Sequence, residues 1–169
     1  FVVTGLLFLP LAESDFIFLD DSKYIRDNPH VGAGLTVDSV TWALTATASA
    51  NWHPLTWLSH MAAVEFFALH PGGHHFINVL FHAAGTAALF LVLRLMTGAV
   101  WPSALTAALF AAHPLHVESV AWAAERKDVL STFFWMLTMC AYWLYARRPG
   151  AGRYLLTVAL FTLGLMAKP

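Results

Sequence analysis

The chain has 169 residues, of which 59% are apolar and 11% charged, with a formal net charge of -1. An ordinary soluble domain carries roughly 25% charged residues, so the composition points to a membrane protein, and the charge balance gives no footing for nucleic acid. The sole cysteine, Cys140, lies inside an apolar run, which excludes a disulfide framework and a thiolate metal site.

Taken in order, residues 1–12 are apolar but too short to cross a bilayer, which needs about 20 residues. They read as the distal half of a first span, and the chain as a fragment of a larger protein. Residues 13–74 form a polar and aromatic segment, expected as a large outer loop. Phe16 to Leu19 lead out of the membrane and present Asp20 and Asp21 at its surface. Asn28-Pro29 and Gly32-Ala33-Gly34 signal turns. Thr36 can cap a short helix with Val37, Val40 and Leu44 on one face. His53-Pro54 opens a second helix over 55–69, ended by Pro71-Gly72-Gly73. Trp52 and Trp57 suit the membrane interface, so both helices are expected to lie on the bilayer.

Residues 75–97 make a span interrupted by Asn78, His82 and Arg94. His74-His75 mark the interface before it, and His82 reads as a hydrogen-bonding helix contact. Gly98 permits a reversal into the short third span, 98–115. Residues 129–146 are the fourth, Arg147 to Arg153 a basic turn, and 152–169 a partial fifth. The fold class is therefore all-α: a polytopic helix bundle with about five spans, the first and last truncated.

Alternation places all ten acidic residues on one side of the membrane. The basic residues divide less cleanly, with Arg94, Arg147, Arg148 and Arg153 on one side and Lys23, Arg26, Arg126, Lys127 and Lys168 on the other. Whatever the absolute orientation, Asp20-Asp21 and the Glu118–Asp128 segment share a face.

That second segment carries the densest ionisable cluster. If residues 117–129 are one helix, Glu118, Trp122 and Glu125 stack on a single face, with Arg126 and Asp128 about 80° to either side. A guanidinium flanked by carboxylates suits an anionic lipid headgroup. Asp20 and Asp21 point to opposite sides in extended chain. One can serve as a general base while the other braces the loop or binds a cation. The alternative is that both clusters are solvated surface turns. His113 and His116 could ligate a metal but lack a third ligand. A divalent cation at the acidic pair stays open, and no soluble cofactor motif is present.

The run His113-Pro-Leu-His-Val-Glu-Ser-Val-Ala-Trp-Ala-Ala-Glu-Arg-Lys-Asp-Val-Leu130 resembles bacterial membrane proteins that precede tetratricopeptide repeats. These are similar to the transmembrane-and-tetratricopeptide-repeat O-mannosyltransferases. Further matching pieces are Asp20-Asp21 with Tyr24-Ile25 and Asn28-Pro29, then Asn51 to Met61, then Gly164 to Pro169. The resemblance implies a GT-C glycosyltransferase moving a sugar, mannose or similar, from a polyprenyl-phosphate donor. The acceptor is a hydroxyl, Ser or Thr of protein, attacked in one inverting displacement. Carried over, Asp20 is the general base and Asp21 its companion. Arg126, with Lys127, holds the donor phosphate. Glu118, Glu125, Asp128 and His116 support the site. The implied setting is a bacterial inner membrane, with the site facing the periplasm. The rivals are a transporter or flippase, which should carry more ionisable positions in mid-span, and a non-catalytic membrane anchor.

Overall fold

The computed structural model describes residues 1–48 and 51–169, and no strand occurs among them. The helices are α1 Val2–Leu7, α2 Pro29–Gly32, α3 Val37–Thr45, α4 Pro54–Phe67, α5 Pro71–Thr97, α6 Val100–Ala112, α7 His116–Ala121, α8 Arg126–Arg147 and α9 Ala151–Ala167. A 3-10 turn over Ala123–Glu125 leads directly into α8, and a π turn occupies Ser22–Arg26.

Two helical stretches, Pro71–Thr97 and Ala123–Arg147, are long and apolar enough to cross a membrane. The apolar helices Val100–Ala112 and Ala151–Ala167 are shorter. At 1.5 Å per residue they extend roughly 20 and 25 Å, against a hydrocarbon core of about 30 Å. Helix α5 packs against α1, α6 and α8, and α8 packs against α9. Trp101, Leu105, Leu109, Leu155 and Phe161 on α6 and α9 turn outward. Such an apolar exterior belongs in lipid. The chain is an all-α membrane bundle.

Residues 13–48 and 51–70 pack against α5, α8 and α9 of this bundle. Their core contains Tyr24, Ile25, Val31, Ala43, Trp57 and Met61, and closes on Ala123 and Ala124 just before α8. The two polar segments thus share a hydrophobic core.

Several expectations are met in detail. Thr36 caps α3, its hydroxyl accepting the Ser39 N–H at 3.2 Å. Gly98 ends α5 with φ +72°, a left-handed conformation open to glycine at little cost. His82 bridges helices, its Nε2 donating to the Ala111 carbonyl at 3.2 Å. On α3, Val37 and Leu44 face outward while Ser39 and Ala43 are buried.

Three expectations are corrected. Trp57 is not interfacial: it is 1% exposed, wedged against Tyr24, Trp42 and His53. Pro71-Gly72-Gly73 does not end α4 but opens α5. Proline is favoured in a first turn, where its missing N–H is not needed. Both glycines meet close neighbours: a Cβ on Gly72 would lie 2.3 Å from the Ala12 carbonyl oxygen, and one on Gly73 2.4 Å from Phe67 Cβ. Burial of His74 and His75 in that first turn follows. Finally, residues 117–129 are not one helix. Trp122 is extended (φ -88°, ψ 117°), so α7 and α8 are separate and the stacking of Glu118, Trp122 and Glu125 does not occur.

Candidate functional site

The break at Trp122 organises the site. The Trp122 carbonyl accepts the Asn78 side-chain amide at 2.9 Å, and the Ala124 N–H donates to Asp21 Oδ1 at 2.7 Å. Long-range partners have taken the backbone groups that a continuous helix would have paired internally.

Asp21 is fully buried. Its second oxygen accepts the Ile17 N–H at 2.9 Å. Burial pushes its carboxyl above the usual range, opposed by those two N–H donors and by His75. Asp21 thus bolts the first loop to the start of α8. Asp20, its neighbour, is half-buried and accepts no hydrogen bond from the described residues. The adjacent carboxylates have split: one is a strut and the other is uncommitted.

Arg126 is a second strut. It is 0% exposed, and its three guanidinium nitrogens donate to Asn78 Oδ1 at 2.9 Å, the Ser59 carbonyl at 3.0 Å and the His74 carbonyl at 2.8 Å. This geometry leaves it no face for a lipid phosphate. The break at Trp122 turns Arg126 inward, toward α4 and α5. Asn78, Ser59 and His74 are the positioning residues that sequence reasoning missed. Asn78 alone had a signal, as an amide inside an apolar span.

The other predicted residues spread around the start of α8. Lys127 pairs with Glu125 at 2.7 Å and lies 5.3 Å from the Tyr24 ring centroid. Asp128 faces the other way, bonding Lys168 at the end of α9 and accepting the Ser119 hydroxyl at 3.3 Å. Glu118 is exposed, without an ion-pair partner among the described residues. His116 packs on Phe110, ring centroids 4.3 Å apart, and near His82 and His113. No cluster suited to hold a metal ion occurs among the described residues.

A group of histidines backs the loop side. His53 packs against both Tyr24 and Trp57, which also stack on each other, and burial, with Lys127 nearby, lowers its pKa to about 4. Burial and the cations around it likewise hold His60 well below the usual histidine range. Both rings are neutral near pH 7 and fill the core beneath Lys127.

On the opposite side Lys168 is held in place by its own backbone. The Thr56 hydroxyl donates to the Ala167 carbonyl at 2.9 Å, and Ala167 is fully buried. The loop helix α4, the break after α7 and the end of α9 therefore converge on the first turn of α8.

The chain has likeness to known proteins. The chain is 31% identical over 149 residues to the protein O-mannosyl-transferase Tmtc2 of Drosophila melanogaster, covering 83% of this chain. It is 31% identical over 144 residues to tmtc2 of Xenopus laevis and 29% identical over 143 residues to TMTC2 of Homo sapiens. The chain belongs to the TMTC family. The match spans 16–17% of each of these relatives' own length. No family model matches the chain, and no solved structure does. The TMTC likeness agrees with the resemblance read from the motifs, while nothing in it speaks to a bacterial origin.

Proposed function

We propose that this TMTC chain forms part of a membrane glycosyltransferase that moves mannose from a polyprenyl-phosphate donor to a Ser or Thr hydroxyl of an acceptor protein. The observation that carries the reading is the division of labour at the acidic pair. Asp21 spends both oxygens on backbone donors, whereas Asp20 stands beside it uncommitted at the junction of loop and bundle. The relatives' names as protein O-mannosyl-transferases supply the sugar and the acceptor class.

In this reaction Asp20 takes the acceptor hydroxyl proton. The hydroxyl oxygen forms a bond to the anomeric carbon from the face opposite the phosphate. The anomeric C–O bond to phosphate breaks, and the lipid phosphate leaves with its electron pair. One displacement inverts the anomeric centre. Lys127 and Lys168, on the two sides of the first turn of α8, supply positive charge for the departing phosphate. Arg126 acts earlier, by holding α4, α5 and α8 in register. In this reading residues 13–74 form the outer loop of a five-span bundle, and the chemistry takes place at the membrane surface facing the exterior. The energy resides in the activated lipid donor.

The test is mannose transfer by the full-length protein in nanodiscs, from a synthetic mannosyl lipid phosphate to a Ser/Thr peptide, with the product's anomeric configuration read by NMR. Transfer with inversion supports the reading. Retention, or absence of transfer from any lipid-phosphate sugar, overturns it.

A further inference from the structure

The end of the bundle away from the candidate site has a charge pattern of its own. Three contacts run in step along α5 and α8: Asn78 with Arg126, Phe81 with Phe133 and Ala88 with Cys140. The two helices are therefore parallel, and their last turns lie at the same end. Arg94 sits in the last turn of α5, Arg147 and Arg148 close α8, and Arg153 lies in the first turn of α9. No carboxylate occurs between Glu65 and Glu118 or after Asp128. Along α8, Asp128 is about 28 Å from Arg147 at 1.5 Å per residue, far beyond a Debye length of about 8 Å. These four guanidinium groups have no ion-pair partner among the described residues.

Three of the four line one hollow. Pro149 keeps Arg148 out of the helical region (φ -144°, ψ 86°), so α8 stops and the chain turns. The Arg153 guanidinium closes the turn by donating to the Arg148 carbonyl. The resulting cavity, about 310 Å³, is lined by Trp143, Leu144, Arg147, Arg148 and Arg153. The Arg147 guanidinium lies 4.8 Å from the Trp143 ring centroid. Beside the hollow α9 begins at Gly150 without a side-chain cap, so its first N–H groups and the positive end of its dipole add to the same field.

The composition of the hollow selects its ligand. Helix α8 is long and apolar enough to cross a membrane, and Tyr142 and Tyr154, each more than half exposed, mark the interface at this end. An arginine cluster at a bilayer surface takes phosphate, whose oxygens match the guanidinium fork. Trp143 and Leu144 give the glycerol and first methylenes of a lipid an apolar contact that a free phosphate cannot use. The head must also carry net negative charge. A choline or ethanolamine head would bring a cation among three guanidinium groups, with no carboxylate to receive it and with the Trp143 ring already covered by Arg147.

We infer that the hollow at the α8–α9 turn binds an anionic phospholipid whose headgroup bears no amine, with Arg147, Arg148 and Arg153 on its phosphate. This lipid sits at the opposite end of α8 from Asp20, Lys127 and Lys168, so it is a resident of the other leaflet and not a reactant. The inference is independent of the transferase reading.

The test is photo-crosslinking of the full-length protein in phosphatidylcholine nanodiscs, using phosphatidylglycerol with a diazirine near the start of one acyl chain. A phosphatidylcholine probe of the same design runs alongside, and glycerol 3-phosphate serves as a soluble competitor. Phosphatidylglycerol adducts are expected to concentrate on residues 143–153 and to exceed those of the phosphatidylcholine probe there. Glycerol 3-phosphate should not displace them. At subsaturating probe, the double variant Arg148→Gln/Arg153→Gln should lose roughly 25-fold of this labelling, about fivefold for each basic residue near an anionic surface. Arg26→Gln, at the other end of the molecule, should leave it unchanged. Equal labelling of residues 143–153 by the two probes, or undiminished labelling in the double variant, would overturn the assignment. Displacement by glycerol 3-phosphate would overturn it too, in favour of a site for soluble phosphates. The comparison of the two probes on wild type decides the matter even if the double variant folds poorly.

Discussion

Asp21 accepts the Ala124 N–H at 2.7 Å, a bond between positions 103 apart in the chain. It fastens the loop that presents Asp20 to the turn that starts α8. Its two adjacent carboxylates are engaged differently: Asp21 accepts the Ile17 and Ala124 N–H groups, and the Asp20 carboxylate accepts none from the described residues.

The first prediction separates them. Asp21→Ala leaves two N–H groups, of Ile17 and Ala124, without acceptors, each worth about 1–3 kcal/mol when buried. It should lower the thermal unfolding midpoint clearly and reduce folded yield. Asp20→Ala removes no hydrogen bond seen among the described residues and should leave stability within about 0.5 kcal/mol of wild type. Equal destabilisation by the two, measured in the same detergent, would refute the division.

The second prediction concerns Arg126. Removing its guanidinium leaves the Ser59 and His74 carbonyls and Asn78 Oδ1 without their donor, so Arg126→Ala should destabilise strongly, by about 1–3 kcal/mol for each buried acceptor left unpaired. Arg126→Lys should rescue little, because one ammonium cannot reach three acceptors arranged around a planar fork. The check is unfolding of both variants by heat or denaturant. A properly folded Arg126→Ala that fails only in lipid-phosphate binding would restore the phosphate-gripping role.

How far the sequence carried the account depends on the range of the interactions involved. The two long apolar helices, the Thr36 cap, the Gly98 reversal and the His82 bridge are local or follow from hydropathy, and residue patterns reveal them. That the two acidic segments share a face followed from counting spans. The direction in which Arg126 points did not, because it is set by the kink at Trp122. That kink exists only when Asn78 and Asp21, 44 and 103 positions from their partners, capture the backbone there. Trp57 was misplaced for the same reason, since a tryptophan near a membrane looks interfacial until Tyr24 and His53 close over it. Lys168 carried no signal beyond its place in the final motif, as its partner Asp128 lies 40 positions earlier.

The third prediction is a pH dependence. His53 titrates at about 4 when folded and near 6.5 when unfolded. Between these values the unfolded chain binds more protons, so stability rises with pH and is lost as pH falls from 6.5 toward 4. Its slope reaches about 1.4 kcal/mol per pH unit for one proton. His60, also held low, steepens the same limb. Replacing His53 with Phe keeps an aromatic ring against Tyr24 and Trp57 and should flatten the unfolding-midpoint curve across that window. An unchanged slope would remove His53 from the account.

The fourth prediction tests how the loop seats on the bundle. A Cβ on Gly72 would strike the Ala12 carbonyl oxygen at 2.3 Å, a backbone atom with no rotamer to escape into. Gly72→Ala should therefore destabilise, whereas Gly152→Ala, with open space around it, should be neutral or slightly stabilising. Paired thermal melts decide the point; a Gly72→Ala variant as stable as wild type would contradict the close packing of residue 12 against α5.

The most direct measurement is the initial rate of sugar transfer from a mannosyl lipid phosphate by full-length protein, wild type against Asp20→Asn, at matched folded concentration. A positioned general base contributes about 10²–10⁴-fold. The account predicts a fall of that size, with unfolding temperature unchanged. Transfer by Asp20→Asn at the wild-type rate would contradict it.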